Sequence, residues 1–199
     1  VRGDGRPGWG DLAVTGKGKI VRSPYPFVPG IDLVGTVLSS ESSDFRKGDV
    51  VLQTGWQLGE KYWGGYSGRQ FLSSDHLLHL PGGLSMRDAM VMGTAGFTAM
   101  ISVMALEANE ISSGRGDVLV TGASGGVGSF AVAILAELGF SVAASTGSAD
   151  AHGYLRELGA SKIIDRSELD KGPERLLESE RWIGAVDTVG GDTLAAVLS

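Results

Sequence analysis

Val118-Leu119-Val120 runs directly into Thr121-Gly122-Ala123-Ser124-Gly125-Gly126-Val127-Gly128, and a helical apolar pattern from Val127 to Leu138 follows without a gap. This junction constrains the fold more than any other part of the chain. Three consecutive apolar residues read as a short parallel strand buried on both faces. A helix folding back on such a strand needs a turn where main chain approaches main chain. Gly125 permits close approach of a ligand, Gly128 lets the helix seat on the strand, and Ala123 holds the place of the first glycine in G-x-G-x-x-G. Unpaired N–H groups at the positive end of the helix, around Ser124, Gly125, Gly126 and Val127, offer a seat for a pyrophosphate. Packing alone can also require such a turn, so the surroundings must arbitrate.

The surroundings alternate. Ser141–Ser145 reads as a strand, Ala151–Leu158 as a helix stopped by Gly159, Lys162–Ile164 and Ile183–Thr188 as further strands, and Asp192–Leu198 as another helix. Gly139 is a suitable C-cap for the helix after the glycine-rich turn. Strands alternating with helices predict βαβ units on a parallel sheet. Ahead of residue 85 the pattern differs. Ile31–Leu38, Asp49–Thr54 and Gly65–Leu72 read as strands between Gly- and Pro-containing turns. Ser85, with Asp88 three residues on, reads as a helix N-cap, and Gly93 and Gly96 interrupt the helix before Phe97–Ala108 resumes it. The expected fold class is α/β: a β-rich unit over 1–90, then a truncated doubly wound dinucleotide-binding domain over 91–199.

The cofactor is read at the end of the second strand of that domain. Proteins that bind NAD place a carboxylate there for the ribose 2′-hydroxyl. This chain has Ser145-Thr146-Gly147-Ser148 and no acid before Asp150. Hydroxyls can donate to a 2′-phosphate, whereas a carboxylate would repel it, so Thr146, Gly147 and Ser148 favour NADPH, although a plain polar loop has the same composition. Arg166, just past the third strand, is the nearest candidate cation for the phosphate or the adenine; a solvated surface arginine is the alternative.

Composition narrows the partners. The 199 residues carry a net charge of −6 with both signs interspersed, which argues against nucleic acid or an anionic membrane as the main partner. Cysteine is absent, so disulfides and thiolate-based zinc sites are excluded. The opening residues lack the apolar core of a signal peptide, and no uninterrupted apolar run approaches the roughly 20 residues of a membrane helix. The chain reads as cytoplasmic. It lacks an initiating Met and stops inside a helical pattern, as a fragment would. Expressed as written, it is expected to be inactive and poorly soluble, with an unpaired sheet edge.

Several segments together resemble the medium-chain dehydrogenase/reductase superfamily, and within it the acrylyl-CoA reductase and putative quinone oxidoreductase group. They are Thr15-Gly16-Lys17-Gly18-Lys19, Pro29-Gly30-Ile31-Asp32-Leu33-Val34-Gly35-Thr36-Val37, Thr54-Gly55-Trp56, Trp63-Gly64-Gly65, Met92-Gly93-Thr94-Ala95-Gly96-Phe97-Thr98-Ala99-Met100, the glycine-rich turn, and Asp187-Thr188-Val189-Gly190. The resemblance implies a GroES-like first domain, a Rossmann second domain with the active cleft between them, and a homodimer when full length. It implies NADPH-dependent reduction of the C=C bond of a short enoyl-CoA, or of a quinone or enone, with a proton added at the α-carbon. A non-catalytic NADPH-binding protein would use the same fold. By the same resemblance Ser124, Gly125, Gly126 and Val127 meet the pyrophosphate, and Thr146, Gly147 and Ser148 the 2′-phosphate, with Arg166 nearby. The group carries a basic residue where Ser148 stands. Residues 1–11 do not match its Asn-Tyr-Lys-Asp segment, so the tyrosine that lies over the cofactor in the group is missing, and Trp9 is no replacement for it. Zinc-dependent relatives bind metal through Cys and the His of Gly-His-Glu; here Gly30-Ile31-Asp32 occupies that place, so no metal is expected.

Other residues read more plainly. His76 and His79 lie in a strand-like Asp75–Leu80, where positions i and i+3 face opposite ways, a poor pair of metal ligands. His152 opens a helix as a surface residue. Asp32, in an apolar strand, reads as a local hydrogen-bonding group, with a place lining the cleft as the alternative. Lys17, Lys19 and Arg22 read as solvated loop charges that could alternatively meet CoA phosphates. Asp187–Gly190 ends a strand where a backbone contact to the nicotinamide half is expected. No catalytic acid stands out.

Overall fold

The computed structural model describes residues 26–169 and 181–199. Lys17, Lys19, Arg22, Trp9 and the Thr15–Lys19 segment lie outside the described residues. Two compact units divide between Thr94 and Ala95.

In the first unit, β1 (Asp32–Thr36), β2 (Val50–Thr54) and β3 (Leu78–His79) form an antiparallel sheet in the order β1-β2-β3. Asp32 pairs with Thr54 and Thr36 with Val50, and the alternation along β2 buries Val51 and Gln53 on one face. The expected strand over Gly65–Leu72 is absent. At its start the Gly65 and Tyr66 amides donate to the Gly30 and Pro29 carbonyls, at 2.9 and 3.0 Å, but no strand follows, and the Gln70 amide donates to the carbonyls of Trp63 and Gly64, at 2.6 and 3.2 Å. Asp75–Leu80 is likewise not one strand. Ser74–His76 forms a single 3₁₀ turn ahead of β3. The His76 ring stacks on Trp56, and the His79 ring packs against Phe45 while contacting the Asp44 carbonyl.

Helix α1 (Met86–Ala108) begins with the expected cap: the Ser85 hydroxyl accepts from the Asp88 amide and donates to the Asp88 carboxylate. At 23 residues, α1 is long and apolar enough to cross a membrane, which corrects the reading that no stretch approaches that length. The helix is broken, however. Gly93 takes a non-helical φ of 44° and ψ of −152°, whereas Gly96 sits in the helix without disturbing it. At the break the Asp32 carboxylate accepts from the Thr94 amide and from the Thr94 hydroxyl, at 2.9 and 2.7 Å. Asp32 is therefore a structural cap, supplied from 62 positions away rather than locally. A Cβ at Gly93 would lie 2.7 Å from the same carboxylate, so the glycine is required twice over.

The second unit is a parallel sheet in the order β6-β5-β4-β7, formed by β4 (Asp117–Val120), β5 (Ser141–Thr146), β6 (Lys162–Asp165) and β7 (Gly184–Val186). Helix α2 (Gly126–Glu137) joins β4 to β5, α3 (His152–Glu157) joins β5 to β6, and α4 (Gly191–Leu198) follows β7. Gly139 and Gly159, at φ 81° and 103°, end the first two of these helices as expected. Val118, Leu119 and Val120 are wholly buried, and β4 shares its core with Ala99 and Val103 of α1 and with Ala131, Val132 and Leu135 of α2. At the N-terminal rim of the sheet, Asp117 accepts from Lys162 and from Ser141, linking the starts of three strands. These hydrogen bonds, Lys162 first, hold the Asp117 carboxyl below the usual carboxylate range.

Two outcomes follow for the complete protein. A Cβ on Gly128 would lie 2.4 Å from the Gly122 carbonyl oxygen and 2.7 Å from the Ala123 Cα, both main-chain atoms that cannot swing away. Gly128→Ala should lower stability by about 1–3 kcal/mol in denaturant unfolding, whereas Gly153→Ala, with nothing within 4 Å, should be neutral or slightly stabilising. Asp117 is ionised more readily folded than unfolded, so its contribution is complete above the ordinary carboxylate value and fades as pH falls through the lowered native one. The stability gap between the parent and Lys162→Met should therefore be widest near neutrality and close below about pH 4.

Candidate dinucleotide site

The second unit gathers the sequence-predicted residues at the C-terminal edge of its parallel sheet, where folds of this kind bind ligands. Gly125 is the N-cap of α2, with extended φ and ψ of −80° and 173°, and no side chain caps the helix. The Gly125 amide donates to the Gly122 carbonyl at 2.9 Å, so the main-chain N–H groups of Ser124, Gly126 and Val127 are the candidates for a phosphate seat at the helix start. The left-handed residue of the turn is Gly122, at φ 57°, one position ahead of the expected first glycine. Ala123 instead lies wholly buried in the core, its amide donating to the Ser145 carbonyl at 3.0 Å. The motif's tight turn therefore belongs to Gly122, and Ala123 is a packing residue.

The loop after β5 meets this turn through hydroxyls. Thr146 is only 3% exposed. Its hydroxyl pairs with that of Ser124 at 3.0 Å and accepts from the Ser148 amide at 3.1 Å. It therefore shapes both segments, while Gly147 and Ser148 form the reachable part of the loop. The Arg166 guanidinium lies against Gly147: a Cβ there would approach its Cζ, Nε and Nη1 to 3.1–3.4 Å. The structure thus brings the predicted cation onto the predicted loop. A side chain at 147 would press the guanidinium back by a few tenths of an ångström.

Two contributors escaped the sequence reading. Asp165, paired in register with Thr146, caps the turn that carries Arg166, its carboxylate accepting from the Ser167 amide at 2.8 Å and hydroxyl at 2.7 Å. The Ser167 hydroxyl, then its amide, holds this carboxyl below the usual range. The signal was available as Asp165-Arg166-Ser167-Glu168, a capping-box pattern. The second is Thr121, 1% exposed, whose hydroxyl donates to Asp187 and accepts from the Thr188 amide at 3.0 Å. Nothing local in the sequence joins residues 67 positions apart.

Among the described residues no group of three or more His, Asp or Glu side chains is placed to share a metal ion. A depression of about 470 Å³ is lined by Ser102, Leu106, Asn109, Ile111 and Gly184–Asp187. Its lining is mostly aliphatic and holds no cluster of charged groups.

No protein-family model matches the sequence. Individual proteins do. The acrylyl-CoA reductase AcuI of Ruegeria pomeroyi is 53% identical over 187 residues, 94% of this chain and 56% of that protein. The putative quinone oxidoreductase YhfP of Bacillus subtilis is 48% identical over 94% of this chain and 57% of its own length; its structure with NAD bound superposes with a TM-score of 0.85. The yhdH oxidoreductase of Salmonella enterica, solved in complex with NADP, is 54% identical and superposes with a TM-score of 0.87 over 92% of this chain and 56% of that one. The chain thus spans somewhat more than half the length of the relatives it matches. It is a homologue of the acrylyl-CoA reductases and putative quinone oxidoreductases, and belongs with them in the medium-chain dehydrogenase/reductase superfamily.

Proposed function

We propose that the complete protein is a zinc-independent, NADPH-dependent reductase of activated C=C bonds, acting on a short 2-enoyl-CoA such as acrylyl-CoA. The observation that carries the cofactor reading is the Arg166 guanidinium on Gly147 beside Ser148, at a strand end with no carboxylate of its own. A glycine-lined helix start without a side-chain cap fits a pyrophosphate, and the loop after β5 fits a 2′-phosphate. Ser124, Gly125, Gly126 and Val127 would hold the pyrophosphate; Gly147, Ser148 and Arg166 would hold the 2′-phosphate, with Thr146 fixing the loop beneath them. When bound, NADPH supplies the hydride for the reduction. The chain's own residues bind and orient it, and none of the described residues is assigned the proton transfer.

The substrate reading rests on resemblance to the acrylyl-CoA reductases. The quinone or enone reading is kept because a 48% identical relative is described as a quinone oxidoreductase. Turnover of enoyl thioesters with and without the CoA moiety, against a quinone series, separates the two. A homodimer in the cytoplasm is the accompanying reading, supported by the resemblance and the lack of cysteine. With neither thiolate nor the family's His in place of Ile31, turnover should survive exhaustive chelation; loss of rate restored by zinc would refute the metal-free assignment.

Cofactor choice is the sharper measurement. The basic residue usual at position 148 is missing, and the charge of Asp165 is close, so discrimination rests on Arg166 and should be modest. NADPH should bind about tenfold tighter than NADH, on the order of 1–2 kcal/mol. Arg166→Ala should weaken NADPH by most of that factor and leave NADH nearly unchanged. Equal affinity for the two cofactors in the parent protein would overturn this assignment.

A further inference from the structure

The residues that end β4 and β7 are joined by a compact set of hydrogen bonds. The Thr121 amide donates to the Val186 carbonyl at 3.0 Å. The Thr121 hydroxyl accepts from the Thr188 amide and donates to Asp187 Oδ1, so its single proton has one direction. The Thr188 hydroxyl donates to the Thr121 carbonyl at 2.9 Å. Asp187 Oδ2 accepts from the Gly190 amide at 2.8 Å, and Oδ1 also receives the Val189 amide at 3.4 Å. One carboxylate therefore gathers a hydroxyl and two main-chain amides, folding residues 187–190 into a hook. Gly190 and Gly191, both left-handed at φ 74° and 59°, let the chain leave the hook into α4.

The hook closes over the glycine-rich turn. A Cβ at Gly122 would lie 2.4 Å from Thr188 Oγ1 and 3.3 Å from Val189 Cγ2. Val189 itself stays 44% exposed, an apolar side chain held outward beside the turn while Thr121 beneath it is 1% exposed.

Strand order decides which half of a dinucleotide meets this hook. The sheet runs β6-β5-β4-β7. Ser148 and Arg166 follow β5 and β6, to one side of the glycine-rich turn, and the hook follows β7, to the other. With the 2′-phosphate of the adenosine half on the β5–β6 side and the pyrophosphate at the turn, the nicotinamide half extends toward β7.

We propose that Asp187, locked by Thr121, is a positioning residue that sets Val189 and the adjoining main chain against the nicotinamide half of the cofactor. The proposal rests on the NADPH reading above. It assigns to a buried hydroxyl and a carboxylate the register of the segment that carries Val189.

Binding to the complete protein tests it, with two ligands that share both riboses and differ in the nicotinamide ring: NADPH and 2′-phospho-ADP-ribose. Asp187→Asn keeps the shape but turns an amide donor toward donors. It should weaken NADPH at least tenfold and 2′-phospho-ADP-ribose less than twofold. Thr121→Val should show the same split more weakly, and Thr121→Ser, which keeps the hydroxyl, should match the parent. Thermal melts establish that each variant folds, and Thr121→Val decides the matter if Asp187→Asn does not fold. Equal weakening of both ligands, or no change in either, would reduce the hook to a strand fastener and overturn the proposal while leaving the cofactor reading intact. Failure of the parent protein to bind either ligand would instead overturn the cofactor reading, and this proposal with it.

Discussion

The contact between Gly128 and the carbonyl of Gly122 sets the distance at which α2 can rest on β4, and the second unit is arranged around that distance. Because the helix sits close, it starts at Gly126, a short turn beyond the end of β4 at Val120. Close seating also closes the core. Ala131, Val132 and Leu135 share one buried cluster with Val118 and Val120 of β4 and Val142 and Ala144 of β5, while Leu119 is buried on the opposite face with Ala143 and Leu169. A parallel strand so enclosed must satisfy its main chain through neighbouring strands, which is why β5 and β7 flank it on both sides.

From this seat the rim is built outward by short polar links. Toward β5 and β6, hydroxyls and a capped turn carry Ser124, Thr146, Ser148 and Arg166 into one neighbourhood. Toward β7, Thr121 and Asp187 make the corresponding link. The aliphatic interior fixes where the strands end, and side-chain hydrogen bonds fix what the loops do beyond those ends. The opposite rim has its own bracket of Asp117, Ser141 and Lys162, at the other end of the strands from the groups that face the ligand.

Much of this was legible in the sequence because it is local. Periodicity and glycine stops located all four parallel strands and the helices between them to within two residues. Ser85 with Asp88, and Gly139 and Gly159, were readable because caps act within one turn. What escaped depended on partners distant in sequence. Gly65–Leu72 has strand composition, but composition supplies no ladder. The left-handed role fell to Gly122 because Ala123 was taken by the core, a choice that a spacing rule cannot express. The break at Gly93 was foreseen as an interruption, yet its cap, Asp32, lies 62 positions before Thr94. Of the site, Ser124, Gly147 and Arg166 could be named in advance; that Thr146 would turn inward, and that Asp165 and Thr121 would set the geometry, could not.

The inward turn of Thr146 has a consequence for how such a site can change over time. A hydroxyl committed to Ser124 and Ser148 is part of the scaffold, and altering it disturbs two segments at once. The side chains of Ser148 and Arg166 stand beyond that pair of links, so substitutions there can alter ligand contacts while the loop keeps its shape. Specificity in this loop is therefore written in a small, replaceable alphabet mounted on a fixed frame. Exchanging side chains at the rim does not require the strand end beneath them to fold in a new way.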